Sequence, residues 1–382
     1  MSLSVRLITK NEEGNIGRAL RSVKGVADEV IVVDTGSSDR TIEIARGLGA
    51  NVCQFTWIDD FSAARNFSFG QAHGDWIFWL DADEELLPES RDELLRCLKR
   101  TDALGYVVLR QDLQQEDKPE LAAEMWQWRL FRRRADLRLV GRYHEYFEPP
   151  LEEVAKAEGK HVYQTTIRLR HYGYIGELKQ PKLDRAAKFL KLELEERPGQ
   201  IYYEIEYGRT LLLLGDETGH AVLREATKRI LERWSEPVAP VPLAAALIEY
   251  LLVTPAKLSR CPLDRAQLHE LAERWFPESA PLLWLRAQQH FGLQDFDAAA
   301  KALERLVRLG RKGTYDKWTG FDARIIGGDA VLNLAACYIR LGKLAEAEPL
   351  LRGLLGNPDL RVQASQNLAA IQELRRRFGR KK

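Results

Sequence analysis

At 382 residues the chain exceeds what one hydrophobic core usually serves, so two domains are expected. Lys and Arg total 57 against 56 for Asp and Glu, a formal charge of +1, so no global field marks nucleic acid or an anionic membrane as a partner. Cys53, Cys97, Cys261 and Cys337 are far apart and lack C-x-x-C spacing, which argues against a zinc site or a disulfide framework.

The opening stretch, "MSLSVRLITKNEE", has no basic region followed by a long apolar run, and "PLAAALIEYLLV" is too short to span a bilayer. Neither export nor a membrane span is expected, and a reducing cytoplasm fits best; peripheral attachment stays open. Up to about residue 175, β-rich runs alternate with helical segments: "SVRLIT", "NIGRALRSVKG", "EVIVVD", "DRTIEIARGLG", "NVCQF", "FSAARNFSFGQA" and "DWIFWLD". Parallel strands need helical crossovers, so this order implies a mainly parallel sheet with helices on its faces. Further strands are expected at "GYVVLRQ", "WQWRLFRR" and "TTIRLRHY", and the polar segment 111–125 reads as a mobile loop or a short excursion over the site.

From Lys179 the strand signals stop and amphipathic helical stretches run to the C-terminus. The expected domains are therefore 1–178 and 179–382. "FGLQDFDAAAKALERLVRLG" and "YIRLGKLAEAEPLLRGLLGNPD" place Ala300 and Ala347 equivalently, and "YYEIEYGRTLLLLGDETGHAVLREATKRIL" repeats the plan of helix, Leu-Gly turn and helix. This looks like degenerate tetratricopeptide repeats, which stack into concave surfaces that hold peptides or partner proteins; an unrelated helical bundle is the alternative.

Ligands of an open α/β sheet sit beyond the carboxyl ends of its strands, where this chain carries "TKNEE", "DTGSSD" and "DADEE". Asp81 and Asp83 are two apart, and in an extended segment both would project to one side. Two carboxylates there suit Mg²⁺ or Mn²⁺ carried by a phosphate ligand, although acids at the N-terminus of a following helix would also satisfy its dipole. No G-x-G-x-x-G follows the first strand and no P-loop is present. Nor does "LITKNEEGNIGRAL" resemble the Gly-rich opening loop of a sugar nucleotidyltransferase.

Taken together, "LITKNEEGNIGRALRSV", "EVIVVDTGSSDRTIEIARGLGA", "WIDDFSAARNFSFGQAHGDWIFWLDADEEL" and "HYGYIGE" resemble family 2 glycosyltransferases of the GT-A fold. More narrowly, they resemble a bacterial subgroup with a tetratricopeptide-like tail that includes peptide and protein glycosyltransferases. The resemblance covers about residues 1–215. It implies an open mixed sheet with helices on both faces followed by an all-α domain, and an inverting, metal-dependent transfer from a nucleotide sugar, UDP-linked by preference. The acceptor would be a hydroxyl or thiol on a peptide, protein or glycan.

The resemblance also assigns residues. Thr9, Asn11 and Glu12 would flank the nucleotide, Asp34 would accept from the uracil ring, and Arg65 of the "ARN" motif would approach the diphosphate. Relatives carry a second acid after the equivalent of Asp34, where this chain has Thr35. Asp83 would ligate Mn²⁺ or Mg²⁺, with Asp81 on the ribose or the metal's waters and His171 as a further ligand that favours Mn²⁺. In "VGRYHEYFEP" Glu145 is the expected general base, with Asp59, Asp60 and Glu84 as rivals, while His144, Trp57 and Trp126 are acceptor-side candidates. A non-catalytic nucleotide-sugar or peptide-binding scaffold and a sugar nucleotidyltransferase are the other readings, and a homo-oligomer stays possible.

Overall fold

In the computed structural model, which describes residues 1–117, 119, 122–175 and 179–379, two compact units are formed by Met1–Val222 and Leu223–Lys382. The first opens with β1 (Leu3–Thr9), α1 (Ile16–Ser22), β2 (Glu29–Asp34), α2 (Thr41–Gly47), β3 (Asn51–Gln54), α3 (Phe61–Gly70) and β4 (Trp76–Trp79). There follow β5 (Glu84–Leu86), α4 (Arg91–Leu98), β6 (Ala103–Asp112), β7 (Ala123–Arg132), β8 (Arg138–Val140), β9 (Tyr146–Glu148), α5 (Leu151–Ala157) and β10 (His161–His171). Helices α6 (Lys179–Glu196), α7 (Ile201–Leu213) and α8 (Gly219–Glu232) come next.

An eight-stranded mixed sheet has the order β3-β2-β1-β4-β7-β6-β10-β5. Strands β1 to β4 pair in parallel, β7 runs antiparallel to both β4 and β6, and β8 pairs with β9 in a separate ribbon. Because side chains alternate along a strand, β1 sends Leu3, Val5 and Leu7 into the core shared with α1 and α4. Ile8, on the opposite face, joins the core that contains Ala64 of α3 and Leu151 of α5. Every residue of β1 is buried, as a central strand covered on both faces should be.

Two expectations change here. The ends of segment 111–125 are paired strand, with Gln111 opposite Glu124 and Asp112 opposite Ala123, so the connection is confined to 113–122. Lys118, Glu120 and Leu121 lie outside the described residues. The domain boundary also differs: Leu178, with Gly176 and Glu177, lies outside the described residues, and the first unit continues through α6 and α7 to Val222. Composition marks where strands stop, whereas the unit is closed by side chains of α6 and α7 that bond back to residues 59 and 142–144.

The second unit continues with α9 (Ala244–Val253), α10 (Ala256–Ser259), α11 (Arg265–Trp275), α12 (Ala280–Gly292), α13 (Phe296–Lys312), α14 (Gly328–Arg340), α15 (Leu344–Gly353) and α16 (Arg361–Gly379). Helices α12 and α13, and again α14 and α15, are joined by the short turns 293–295 and 341–343. Ala300 and Ala347 are both buried in the second helix of their pair, and Gly342 takes φ +75°, a conformation that glycine adopts without steric cost. Among the described residues, no helix is long and apolar enough to cross a membrane.

Candidate active site

The parallel registers set Thr9 opposite Asp34 and Arg6 opposite Trp79, so the carboxyl ends of β1, β2 and β4 lie side by side. The loops after β1 and β2 are tied together there. Asn11, at φ +55°, donates its amide to Ser37 Oγ at 2.9 Å and accepts from the Ser38 amide at 2.8 Å, and the Glu12 amide donates to Thr41 Oγ1 at 2.7 Å. Asp34 accepts the Gly36 and Ser37 amides at 3.0 and 3.1 Å and is nearly closed off from solvent. Thr9 accepts from Thr35 through its carbonyl, while its buried hydroxyl has no hydrogen-bond partner among the described residues. Burial and, less strongly, Asp83 raise the Glu12 carboxyl above its ordinary range, so the first loop lies within electrostatic reach of the acids after β4.

Those acids do not form the pair that their spacing suggests. The chain turns after β4, with the Glu84 amide donating to the Asp81 carbonyl at 3.0 Å, and this sends Asp81 and Asp83 to different partners. Asp81 accepts Arg65 Nη1 at 2.9 Å and Trp79 Nε1 at 3.0 Å on Oδ1, and both Arg129 Nη atoms at 3.1 Å on Oδ2. Burial opposes its charge, yet Arg65 and Arg129 hold the carboxyl well below the usual carboxylate range. Asp83 instead meets His171, Oδ2 to Nε2, at 3.2 Å.

Arg65 links Asp81 to Glu145. Asp60 caps α3 by accepting the Ala63 amide, and Arg65 then stands over the Trp79 ring at 4.0 Å with Nε donating to Glu145 Oε1 at 2.8 Å. No described residue donates to Glu145 Oε2. The rival carboxylates are committed elsewhere: Asp59 to Lys188 and Trp57, Asp60 to its cap, and buried Glu84 to Arg129 at 2.6 Å and the Asp81 amide at 2.9 Å. Burial raises the Glu84 carboxyl despite Arg129.

His171 stands between the carboxylates of Asp112 and Asp83. It ends β10, and the short strand β5 lies across from it with Glu84 in register. Nδ1 contacts Asp112 Oδ1 at 2.8 Å, leaving Nε2 toward Asp83; a carboxylate on the second nitrogen is the usual support for a ligating His. Burial works against protonation, but the bonds to Asp112 and Asp83 raise the imidazole to about 9. Gly173 packs so closely that a Cβ there would run into both Asp83 Oδ2 and His171 Nε2. Oxygen and imidazole donors fit Mn²⁺, with further positions for diphosphate or water. Asp81 does not fit, because its hydrogen bonds to two arginines and Trp79 occupy both oxygens. Among the described residues, no group of three or more His, Cys, Asp or Glu is arranged so that it could hold a metal ion.

Of the acceptor-side candidates, His144 immediately precedes Glu145. Trp57 is drawn into packing against Phe61 and Phe189 with its indole N–H on Asp59, and Trp126 is half-buried on β7. Arg129, Asp112 and Arg6 go unnoticed in the sequence. Arg129 is the extra residue of a β-bulge, lying between Leu130 opposite Tyr106 and Trp128 opposite Val107, and such bulges re-aim side chains. Arg6 is fully buried, with Nη1 on Ser68 and its guanidinium over Phe69, and burial together with Arg65 lowers its pKa. Replacing Arg129 with Met would leave Glu84 buried without its ion-pair partner and Asp81 with Arg65 alone. Denaturant unfolding is expected to show a loss of about 3–5 kcal/mol, and a loss below ~1 kcal/mol would mean that the cluster is hydrated.

Residues 4–149 match the family model for glycosyl transferase family 2. A TPR repeat-containing protein of Synechococcus elongatus is 38% identical over 219 residues, covering 56% of this chain and 53% of that protein. An uncharacterized glycosyltransferase of Rickettsia typhi is 46% identical over 92 residues, covering 24% of this chain and 31% of its own length. The chain thus spans about half or less of the length of these relatives. Glucosyl-3-phosphoglycerate synthase from Mycobacterium tuberculosis, solved with Mn²⁺, UDP and glucosyl-3-phosphoglycerate, aligns with a TM-score of 0.35 and 18% identity, over 51% of this chain and 79% of that one.

Proposed function

We propose that the chain, whose residues 4–149 match the family model for glycosyl transferase family 2, moves a sugar from a nucleotide sugar, UDP-linked by preference, to an acceptor hydroxyl or thiol with inversion. The carrying observation is the line Glu145–Arg65–Asp81 beside the Asp83–His171 pair, at the shared ends of β1, β2 and β4. Asn11, Glu12 and Asp34 belong to the tied loops on the nucleotide side, and Thr9 sits beneath them.

Asp83 and His171 would hold Mn²⁺ or Mg²⁺, which when bound supplies positive charge against the departing diphosphate. Asp81 keeps Arg65 in place, and the guanidinium offers its remaining donors to phosphate oxygens. Glu145, anchored through Oε1, presents Oε2 to the acceptor and takes its proton as the acceptor atom bonds to the anomeric carbon. The bond from that carbon to the diphosphate oxygen breaks, and UDP leaves with the bonding pair. The second unit suits a polypeptide or glycan acceptor, because stacked helix pairs present extended surfaces. Thermal-shift screening of nucleotide sugars with Mn²⁺ tests the donor class. UDP-sugars are expected to raise the unfolding temperature, and a shift confined to non-uridine nucleotides would reassign the base pocket.

A further inference from the structure

The turn that carries Glu145 holds His144 in a backbone conformation that a non-glycine residue disfavours, three residues after a glycine that adopts positive φ freely. His144 sits at φ +54° and Gly141 at φ +102°. A non-glycine residue in the left-handed region persists when its surroundings over-determine it, and such positions gather at functional sites.

The surroundings here are two helices that follow the sheet. From α6, the buried Glu193 accepts the Arg142 amide at 2.8 Å, and Glu196 pairs with the Arg142 side chain. From α7, the Tyr203 hydroxyl donates to the His144 carbonyl at 3.2 Å and occupies the space that a Cβ on Gly141 would need. One turn later on the same helix, Glu206 Oε2 lies 3.3 Å from His144 Nε2, while its Oε1 accepts from Arg209 at 3.1 Å. The His144 ring is also flanked by Tyr143 and Tyr202, at centroid separations of 4.2 and 6.1 Å. Burial alone would raise the Glu206 carboxyl, but His144 and Arg209 bring it below the usual range, so it stands as a carboxylate against the imidazole.

We propose that Glu206 is a positioning residue for the transfer, gripping His144 so that the strained turn keeps Glu145 aimed at the reacting acceptor. Helices α6 and α7 are then parts of the catalytic unit and not the start of a separate partner-binding domain. The assignment deepens the transferase reading and rests on it. Glu206 need not touch substrate. It acts through the backbone of residues 141–145, where misplacement of a base by about 1 Å can cost on the order of 100-fold in rate.

The test uses the full chain with two readouts, hydrogen exchange of segment 141–147 and sugar release from a UDP-sugar with Mn²⁺. Glu206→Ala is expected to speed exchange in that segment and to lower kcat by about 10- to 100-fold, while UDP affinity and the donor KM stay at wild-type values. Glu206→Gln keeps an acceptor facing Nε2 and is expected to recover most of both losses; it also serves if the alanine variant folds poorly. Wild-type turnover in Glu206→Ala, or lowered turnover with unchanged exchange at 141–147, would overturn the proposal. A wild-type chain that releases UDP from no UDP-sugar would instead defeat the transferase reading beneath it, with the exchange difference still visible.

Discussion

Replacing Asp83 with alanine is expected to abolish the gain in UDP affinity that Mn²⁺ confers, while leaving the fold nearly intact. Among the described residues its carboxylate has one hydrogen-bonded side-chain partner, His171, whose other nitrogen remains on Asp112 after the change. Structural cost is small for that reason: the residue lies in the turn between β4 and β5, and its carbonyl still accepts the Tyr172 amide at 2.9 Å. The consequence for binding is expected to be large, since under the proposed function a diphosphate would be held through the metal and one of the two donors proposed for it is gone. Asp81→Asn should behave in the opposite way, weakening the Arg65 and Arg129 cluster while keeping the metal effect. Calorimetry with Mn²⁺ and with chelator separates these cases. Equal UDP affinity under both conditions in the wild-type chain would remove the Asp83–His171 site.

Glu145→Gln should lower turnover by about 100- to 10,000-fold with UDP affinity close to wild type, because general-base assistance is commonly worth that much. The substitution is mild in every other respect. Gln still offers an oxygen to Arg65 Nε, so the 2.8 Å contact and the stack of Arg65 on Trp79 can persist. A thiol acceptor would respond less, since a group with a pKa of ~8.5 is partly ionised near neutrality. The size of the effect therefore also reports the acceptor atom. Wild-type turnover on a hydroxyl acceptor would remove Glu145 as base. Weakened UDP binding would instead make it part of the donor site.

The β-rich runs carry most of what the sequence discloses about the fold, with β1, β2, β4, β6, β7 and β10 falling within them, whereas the roles expected of Asp83, His171, Arg65 and Glu145 come from the family resemblance. What stays hidden depends on departures from regular geometry. Two-residue spacing puts Asp81 and Asp83 on one side only in an extended segment, and the turn closed by Glu84 N–H on the Asp81 carbonyl separates them. The bulge at Arg129 breaks the alternation of β7, so a residue that reads as strand surface becomes the buried cation under Asp81. Asp112 falls in a polar stretch that reads as loop, although it is the last residue of β6 and supports His171. Glu206 sits within a helical run that composition assigns to the second domain, and only the contact with His144 reveals which unit it serves.

The chemistry proposed for this chain is cleavage of a nucleotide sugar between the anomeric carbon and the diphosphate. Phosphorus-31 NMR of the full-length chain with Mn²⁺ and a panel of UDP-sugars follows that bond directly. UDP is expected to accumulate with no inorganic diphosphate formed, and its accumulation to be lost in the Asp83→Ala variant. Release of inorganic diphosphate, or binding of a UDP-sugar without any UDP appearing in the presence of acceptor, would contradict the proposed chemistry.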